Sequence, residues 1–221
     1  MFKKIAIFGN SGFAKEVYWH LKNYYKTKQI YSYVNLNFFV DKKFNTGSLI
    51  DGNEVINSED LFKDNDQGIK KYQEFDEVYI AVGNGYIRKE INNRLPFDIR
   101  YGTFIFNKDL ILANNNKFGC GSFVCAGTIV TCDCTFGFHT QLNLNTTVGH
   151  GCKIGNYFTT APGVNISGDC IIGDHVYFGT NSTVREKIKI CDNVTIGMNS
   201  CVVKDITEPG IYVGIPAKKI K

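Results

Sequence analysis

From Phe118 onward every sixth residue is apolar: Phe118, Val124, Val130, Phe136, Leu142, Val148, Ile154, Thr160, Ile166, Ile172, Phe178, Val184, Ile190, Ile196 and Val202. Fourteen of these fifteen are aliphatic or Phe, so the one polar member, Thr160, breaks an otherwise strict register. A helix repeats every 3.6 residues and a strand every two, and neither selects one residue in six. A hexapeptide repeat winding a parallel β-helix does. In a left-handed coil of this type three short flat strands and their corners take eighteen residues, with the sixth-residue aliphatic pointing inward. Small or branched residues fill the position two before it, at Ser122, Thr128, Cys134, Thr140, Thr146, Cys152, Val164, Cys170, Val176, Ser182, Val194 and Ser200. Glycine, or another residue able to take a positive φ, follows it at Gly119, Gly137, Asn143, Gly149, Gly155, Gly173, Gly179 and Gly197. Such a prism leaves flat faces that pack against copies, so the expected assembly is a homotrimer, with residues 208–221 covering the free end.

The first hundred residues follow another pattern. Lys4 to Phe8 reads as a buried strand of a parallel sheet, Gly9-Asn10-Ser11-Gly12 as a turn, and Ala14 to Tyr25 as a helix. Strand, glycine turn and helix in that order present backbone N–H groups to a phosphate. The same glycines also suit a plain tight turn, and the GxxG spacing lacks the third glycine of a dinucleotide fingerprint. Phe38 to Val40 reads as a second strand ending at Asp41, either a hydroxyl acceptor or a solvated turn residue. Glu77 to Val82 reads as a further strand before Gly83-Asn84-Gly85, and Tyr86 to Leu95 as a helix with Arg88 placed to reach an anion. Between them, residues 45–76 are polar and irregular apart from a short helix that Ser58 would cap. The texture changes across residues 98–115. The expected architecture is therefore a small α/β Rossmann-like domain over 1–101 and a left-handed β-helix over 102–221.

Composition narrows the function. A net charge of +4 without any Lys/Arg block argues against nucleic acid and anionic membranes as partners. No apolar run approaches membrane-spanning length. The opening MFKKIAIFGN is too short in its apolar part for a signal peptide and leads into a charged helix, so a cytoplasmic location is expected. Cys134, Cys152 and Cys170 stand eighteen apart and should stack as buried free thiols, not disulfides. Cys132, Cys134 and His139 lack a fourth ligand, so no metal is expected. His150 follows Val148-Gly149 at a corner that turns it outward, either as a general base or as a solvated surface residue. His139, Tyr157 and His175 fall in one column eighteen residues apart, read as an outer-face stack.

The segments FGNSGFAKEV, AVGNGYIRKEI, GIYVGIPAKKIK and NLNTTVGHGCKIGNYFTTAPGVNISGDCIIG resemble the NeuD/PglD-type hexapeptide-repeat sugar acyltransferases over nearly the whole chain. The resemblance implies acetyl-CoA as donor, a trimer with sites at subunit interfaces, and a nucleotide-linked amino sugar held by the N-terminal domain. It implies His150 as the base, Asn143 near the substrate and the Gly168 N–H at the oxyanion. It further implies Gly9, Asn10, Gly12, Asp41, Gly83, Asn84 and Arg88 on the nucleotide-sugar side, and Thr159, Gly168 and Gly179 on the acyl-CoA side. The implied reaction is direct acetyl transfer to the 4-amino group of a nucleotide-linked dideoxy-amino sugar. O-acetylation of a sialic acid, and a non-catalytic sugar-nucleotide-binding trimer, are the alternatives. No cysteine is expected as a nucleophile, because Cys152 belongs to the inward column. Two positions depart from the group: Gly151 replaces the acidic residue after the base, and Thr159 replaces a second histidine. The base is then oriented by another carboxylate or by a backbone carbonyl.

Overall fold

The computed structural model describes residues 3–30, 34–45, 47, 49–63, 70–106 and 115–221. Residues 107–114, inside the stretch where the texture changes, lie outside the described part. The chain divides into two compact units, Met1–Gly83 with Glu90–Gly102, and Asn84–Lys89 with Thr103–Lys221. Six residues before the expected boundary thus group with the coiled half.

The first unit is built on β1 (Lys3–Phe8), α1 (Gly12–Thr27), β2 (Val34–Val40), β3 (Leu49–Ile50), β4 (Asn53–Asn57) and β5 (Glu77–Ile80). The sheet order is β3-β4-β2-β1-β5. Strands β4, β2, β1 and β5 run parallel, and β3 turns back antiparallel on β4. Ile5, Ala6 and Ile7 of the inner strand β1 are fully buried, as a strand covered on both faces requires. Ala14, Val17, Tyr18, Leu21 and Tyr25 recur at three and four residues and bury one face of α1. Residues 58–62 form a 3-10 turn, but Ser58 does not cap it: its Oγ donates to Asp41 Oδ1 at 2.7 Å. Helix α2 (Gly85–Arg94) opens in residues of the second unit, and Ile91 in its last turns joins the apolar core of the first.

In the second unit, two-residue strands stack in three parallel sheets. Each strand pairs with the one eighteen residues on, as Thr135 with Lys153, Thr147 with Asn165 and Thr159 with Tyr177. That offset is one coil. The sixth-residue side chains form one continuous core from Val124 to Val202. Full burial of each such side chain contributes roughly 1.5–3 kcal/mol, so the coils are held by many equal increments. Cys134, Cys152 and Cys170 are fully buried, and their thiols donate to the carbonyls of Gly149, Ser167 and Arg185 at 3.1, 3.3 and 3.3 Å. Thr160 is interior too. Its Oγ1 accepts the Asn143 N–H at 2.9 Å and lies 2.8 Å from Thr146 Oγ1, so the polar exception completes a buried hydroxyl pair.

One expectation about the corners is corrected. The residues after the aliphatics do not take positive φ; that conformation falls two positions later, at Gly121, Gly127, Asp133, His139, Asn145, Gly151, Tyr157 and onward in steps of six to Asn199. The glycines after the aliphatics answer a different need. A Cβ on Gly149 would lie 2.6 Å from Gly168 N of the next coil, closer than stacked backbones allow. At the end of the unit, Gly210–Val213 pairs parallel with residues 194–196, and Lys218–Lys219 folds back antiparallel on it.

Candidate active site

The strand Thr147–Val148 ends in a corner whose backbone is pinned at several points. Gly149 N donates to Ile166 O at 2.8 Å, Gly151 N to Cys132 O at 2.9 Å, and Asp169 N to His150 O at 2.7 Å. Val148 points inward and is buried, while the His150 side chain is 64% exposed. The imidazole has a seat: a Cβ on Gly168 would lie 2.7 Å from both Cε1 and Nε2 of His150, so the ring lies over a residue without a side chain. On its other edge, His150 Nδ1 stands 3.6 Å from Asp169 Oδ1. Gly151 and Asp169 hold the same corner position one coil apart, with φ of +68° and +59°. A Cβ on Gly151 would collide with that carboxylate oxygen.

The other predicted residues of the coil are scattered around it. Asn143 lies at the corner before His150's, with its Oδ1 accepting the Leu144 N–H at 2.7 Å. Gly179 packs against the next coil, where a Cβ would stand 2.6 Å from Met198 N. Thr159 is 5% exposed, and its Oγ1 accepts from Arg88 Nη2 at 2.8 Å, which removes its hydroxyl from an acyl-CoA surface.

Arg88 is likewise corrected. It is fully buried, and its guanidinium donates to His139 O, Gln141 Oε1, Tyr157 O, Phe158 O and Thr159 Oγ1 at 2.8–3.1 Å. Burial pushes its pKa down to about 9, which leaves it a cation at neutral pH. It fastens the start of α2 to the coil instead of reaching an anion. Beside it Tyr86 stacks on His175, and the column continues through Tyr157 to His139 with centroids 4.8–5.4 Å apart. The expected stack of His139, Tyr157 and His175 thus forms, but its two histidines are buried and do not lie open on the surface. With Cys134 turned into the prism and His139 into this column, Cys132, Cys134 and His139 do not converge on a metal.

In the first unit, Gly9 ends β1 at φ +129°, backed against Ala81 O, and Asn10 Nδ2 donates to Phe44 O at 3.0 Å. Gly12 and Gly83 face open space. Asn84 Oδ1 accepts the N–H groups of Tyr86 and Ile87 at 3.0 and 3.2 Å, so that side chain caps α2. Asp41 is held by Ser58 Oγ and by Arg94 Nη1 at 3.0 Å. Burial alone would raise its pKa, but these hydrogen bonds outweigh it and hold the carboxyl below the usual range. Asp41, Lys42, Lys43, Glu59 and Arg94 line a cavity of about 510 Å³, setting three cations beside two carboxylates. Sequence reasoning passed over Lys42, Lys43, Arg94 and Asp169. Asp169 alone carried a signal, lying one coil and one residue beyond His150.

Residues 4–95 match the family model for the PglD N-terminal domain, and residues 145–186 match that for the bacterial transferase hexapeptide (six repeats). The left-handed β-helix with its α/β partner is also the fold of three solved relatives. A variant of perosamine N-acetyltransferase from Caulobacter crescentus, in complex with CoA and GDP-perosamine, superposes with a TM-score of 0.83 at 18% identity, covering 100% of this chain and 98% of that one. WeeI from Acinetobacter baumannii AYE gives 0.79 at 25%, over 99% and 100%. The acetyltransferase domain of PglB from Neisseria gonorrhoeae FA1090, in complex with acetyl coenzyme A, gives 0.81 at 24%, over the full length of both chains.

Proposed function

Because the chain belongs to the PglD-type hexapeptide-repeat family, we propose that it is an acetyl-CoA-dependent N-acetyltransferase acting on the 4-amino group of a nucleotide-linked dideoxy-amino sugar. The observation that carries this reading is the imidazole of His150, seated on Gly168 with a carboxylate at its Nδ1 edge. An exposed imidazole on a rigid corner, with a carboxylate beside one nitrogen, suits deprotonation of an attacking amine. The amine nitrogen attacks the thioester carbonyl, His150 Nε2 takes the ammonium proton, and the C–S bond breaks to release the CoA thiolate. The Gly168 N–H is assigned to the developing oxyanion. Relatives lend support, since the Caulobacter enzyme is described with CoA and GDP-perosamine even where one histidine is replaced by asparagine or by alanine.

Three chains assembling around a threefold axis would cover apolar side chains that stand exposed on the coil, among them Ile129, Ile171 and Met198. The sugar nucleotide is assigned to the first unit, where the cations beside Asp41 suit its phosphates. The test is release of free CoA thiol from acetyl-CoA in the presence of a panel of nucleotide amino sugars and sialic acids. Release with amine acceptors only is the expected result; release with a sialic acid would move the activity to O-acetylation. His150→Ala should lower kcat by roughly 10²–10⁴-fold, the span of general-base catalysis. Retention of most of kcat would end the assignment of the base.

A further inference from the structure

His150 is followed by glycine, so no neighbouring side chain in its own coil orients the ring from the next position. The carboxylate comes instead from one coil on. Asp169 N donates to His150 O at 2.7 Å, which sets Asp169 directly against the His150 corner, and its Oδ1 lies 3.6 Å from Nδ1. It reaches that point only because position 151 is empty: a Cβ there would occupy the place of Asp169 Oδ1. The two residues are the same left-handed corner on successive coils, so the glycine below and the aspartate above are complementary halves of one arrangement.

From this we infer that Asp169 is the positioning residue of His150, and that Gly151 is what admits it. Asp169 accepts from Nδ1–H, which leaves the lone pair of the neutral imidazole on Nε2, the nitrogen the reaction requires. At 3.6 Å the two atoms stand just beyond hydrogen-bond distance, within the looser range that catalytic pairs show without ligand. The inference rests on the acetyltransferase reading for its kinetics but not for its chemistry, and the experiment has one arm for each.

The chemical arm uses long-range ¹H–¹⁵N spectra of the full-length protein labelled at its four histidines, with His150 assigned by its loss in His150→Gln. The expected result is the Nδ1–H tautomer in the parent protein and a shift toward Nε2–H in Asp169→Asn. Unchanged His150 signals in Asp169→Asn would overturn the inference, whether or not turnover is found. The kinetic arm compares Asp169→Asn, Asp169→Glu and Gly151→Ala. Asp169→Asn should lower kcat about tenfold to a hundredfold, the scale of a misplaced catalytic group, with KM for both substrates within about twofold. Asp169→Glu should recover part of the loss. Gly151→Ala should lower kcat in the parent but add nothing in the Asp169→Asn background, because both changes break one contact. A raised KM at unchanged kcat in Asp169→Asn would make Asp169 a ligand-binding residue and reject the positioning role. Absence of turnover in the parent protein rejects the proposed function, and the spectra then decide the pairing alone.

Discussion

A single atom decides much of the site. Gly168 carries no Cβ, and the place where one would stand is 2.7 Å from His150 Cε1 and Nε2. The aromatic ring, not the backbone conformation, imposes that glycine. Gly168→Ala should therefore displace the imidazole and cost about a hundredfold in kcat while the fold persists, since the added methyl would meet the exposed His150 ring and not the apolar core. Thermal unfolding within a few degrees of the parent, combined with the kinetic loss, is the expected pair of results; full activity in Gly168→Ala would show that His150 works from another position. Thr160 teaches the same lesson in the interior, where a hydroxyl replaces the expected aliphatic because Asn143 N–H and Thr146 Oγ1 need a partner.

Among the elements, the first turn of α2 departs furthest from what its sequence suggests. Read linearly, a glycine turn followed by a helix with Arg in its first turn is an anion site. In the fold, Asn84 caps that turn and Arg88 satisfies carbonyls of the coil. Arg88→Ala removes a donor from each of several buried acceptors, and a loss of about 3–5 kcal/mol is expected, as when one member of a buried charged network is removed. For a chain of this size that corresponds to a fall of roughly 10 °C in the unfolding midpoint. Arg88→Lys should not restore it, because an ammonium cannot supply the planar fork. Weakened sugar-nucleotide binding at unchanged stability would return Arg88 to the ligand.

The acid stability of the whole molecule records the same burial. His139 is displaced down to about 4, first by burial and then by the charge of Arg88. In the unfolded chain it titrates near 6.5, so between 6.5 and 4 the unfolded state binds the extra proton. Stability is therefore full above pH 6.5 and falls as the pH drops toward 4, by about 3 kcal/mol from this group. His20 and His175 are displaced in the same direction by burial. Denaturant unfolding of the parent and of His139→Asn across that range should show the steeper fall in the parent, Asn being suited to the left-handed corner at φ +54°. Equal slopes would remove His139 as the cause.

The β-helix was legible because its information is local and repeated. A residue's place in the six-residue cycle fixes whether it points inward, and the eighteen-residue offset fixes what stacks on it, so the core and the thiol column followed from counting. Strands β1, β2 and β5 of the first unit were legible as short apolar runs, whereas β3 and β4 fall in the stretch 45–76 that reads as polar and irregular. Counting could not tell a glycine needed for close approach from one needed for positive φ, since both leave the same letter in the sequence. Nor could it show which carboxylate stands beside His150 or where Arg88 points. Those answers depend on side chains from positions 19 to 71 residues apart meeting in space. Periodicity sets the backbone that brings them near; only the packed fold selects the acceptor each donor meets.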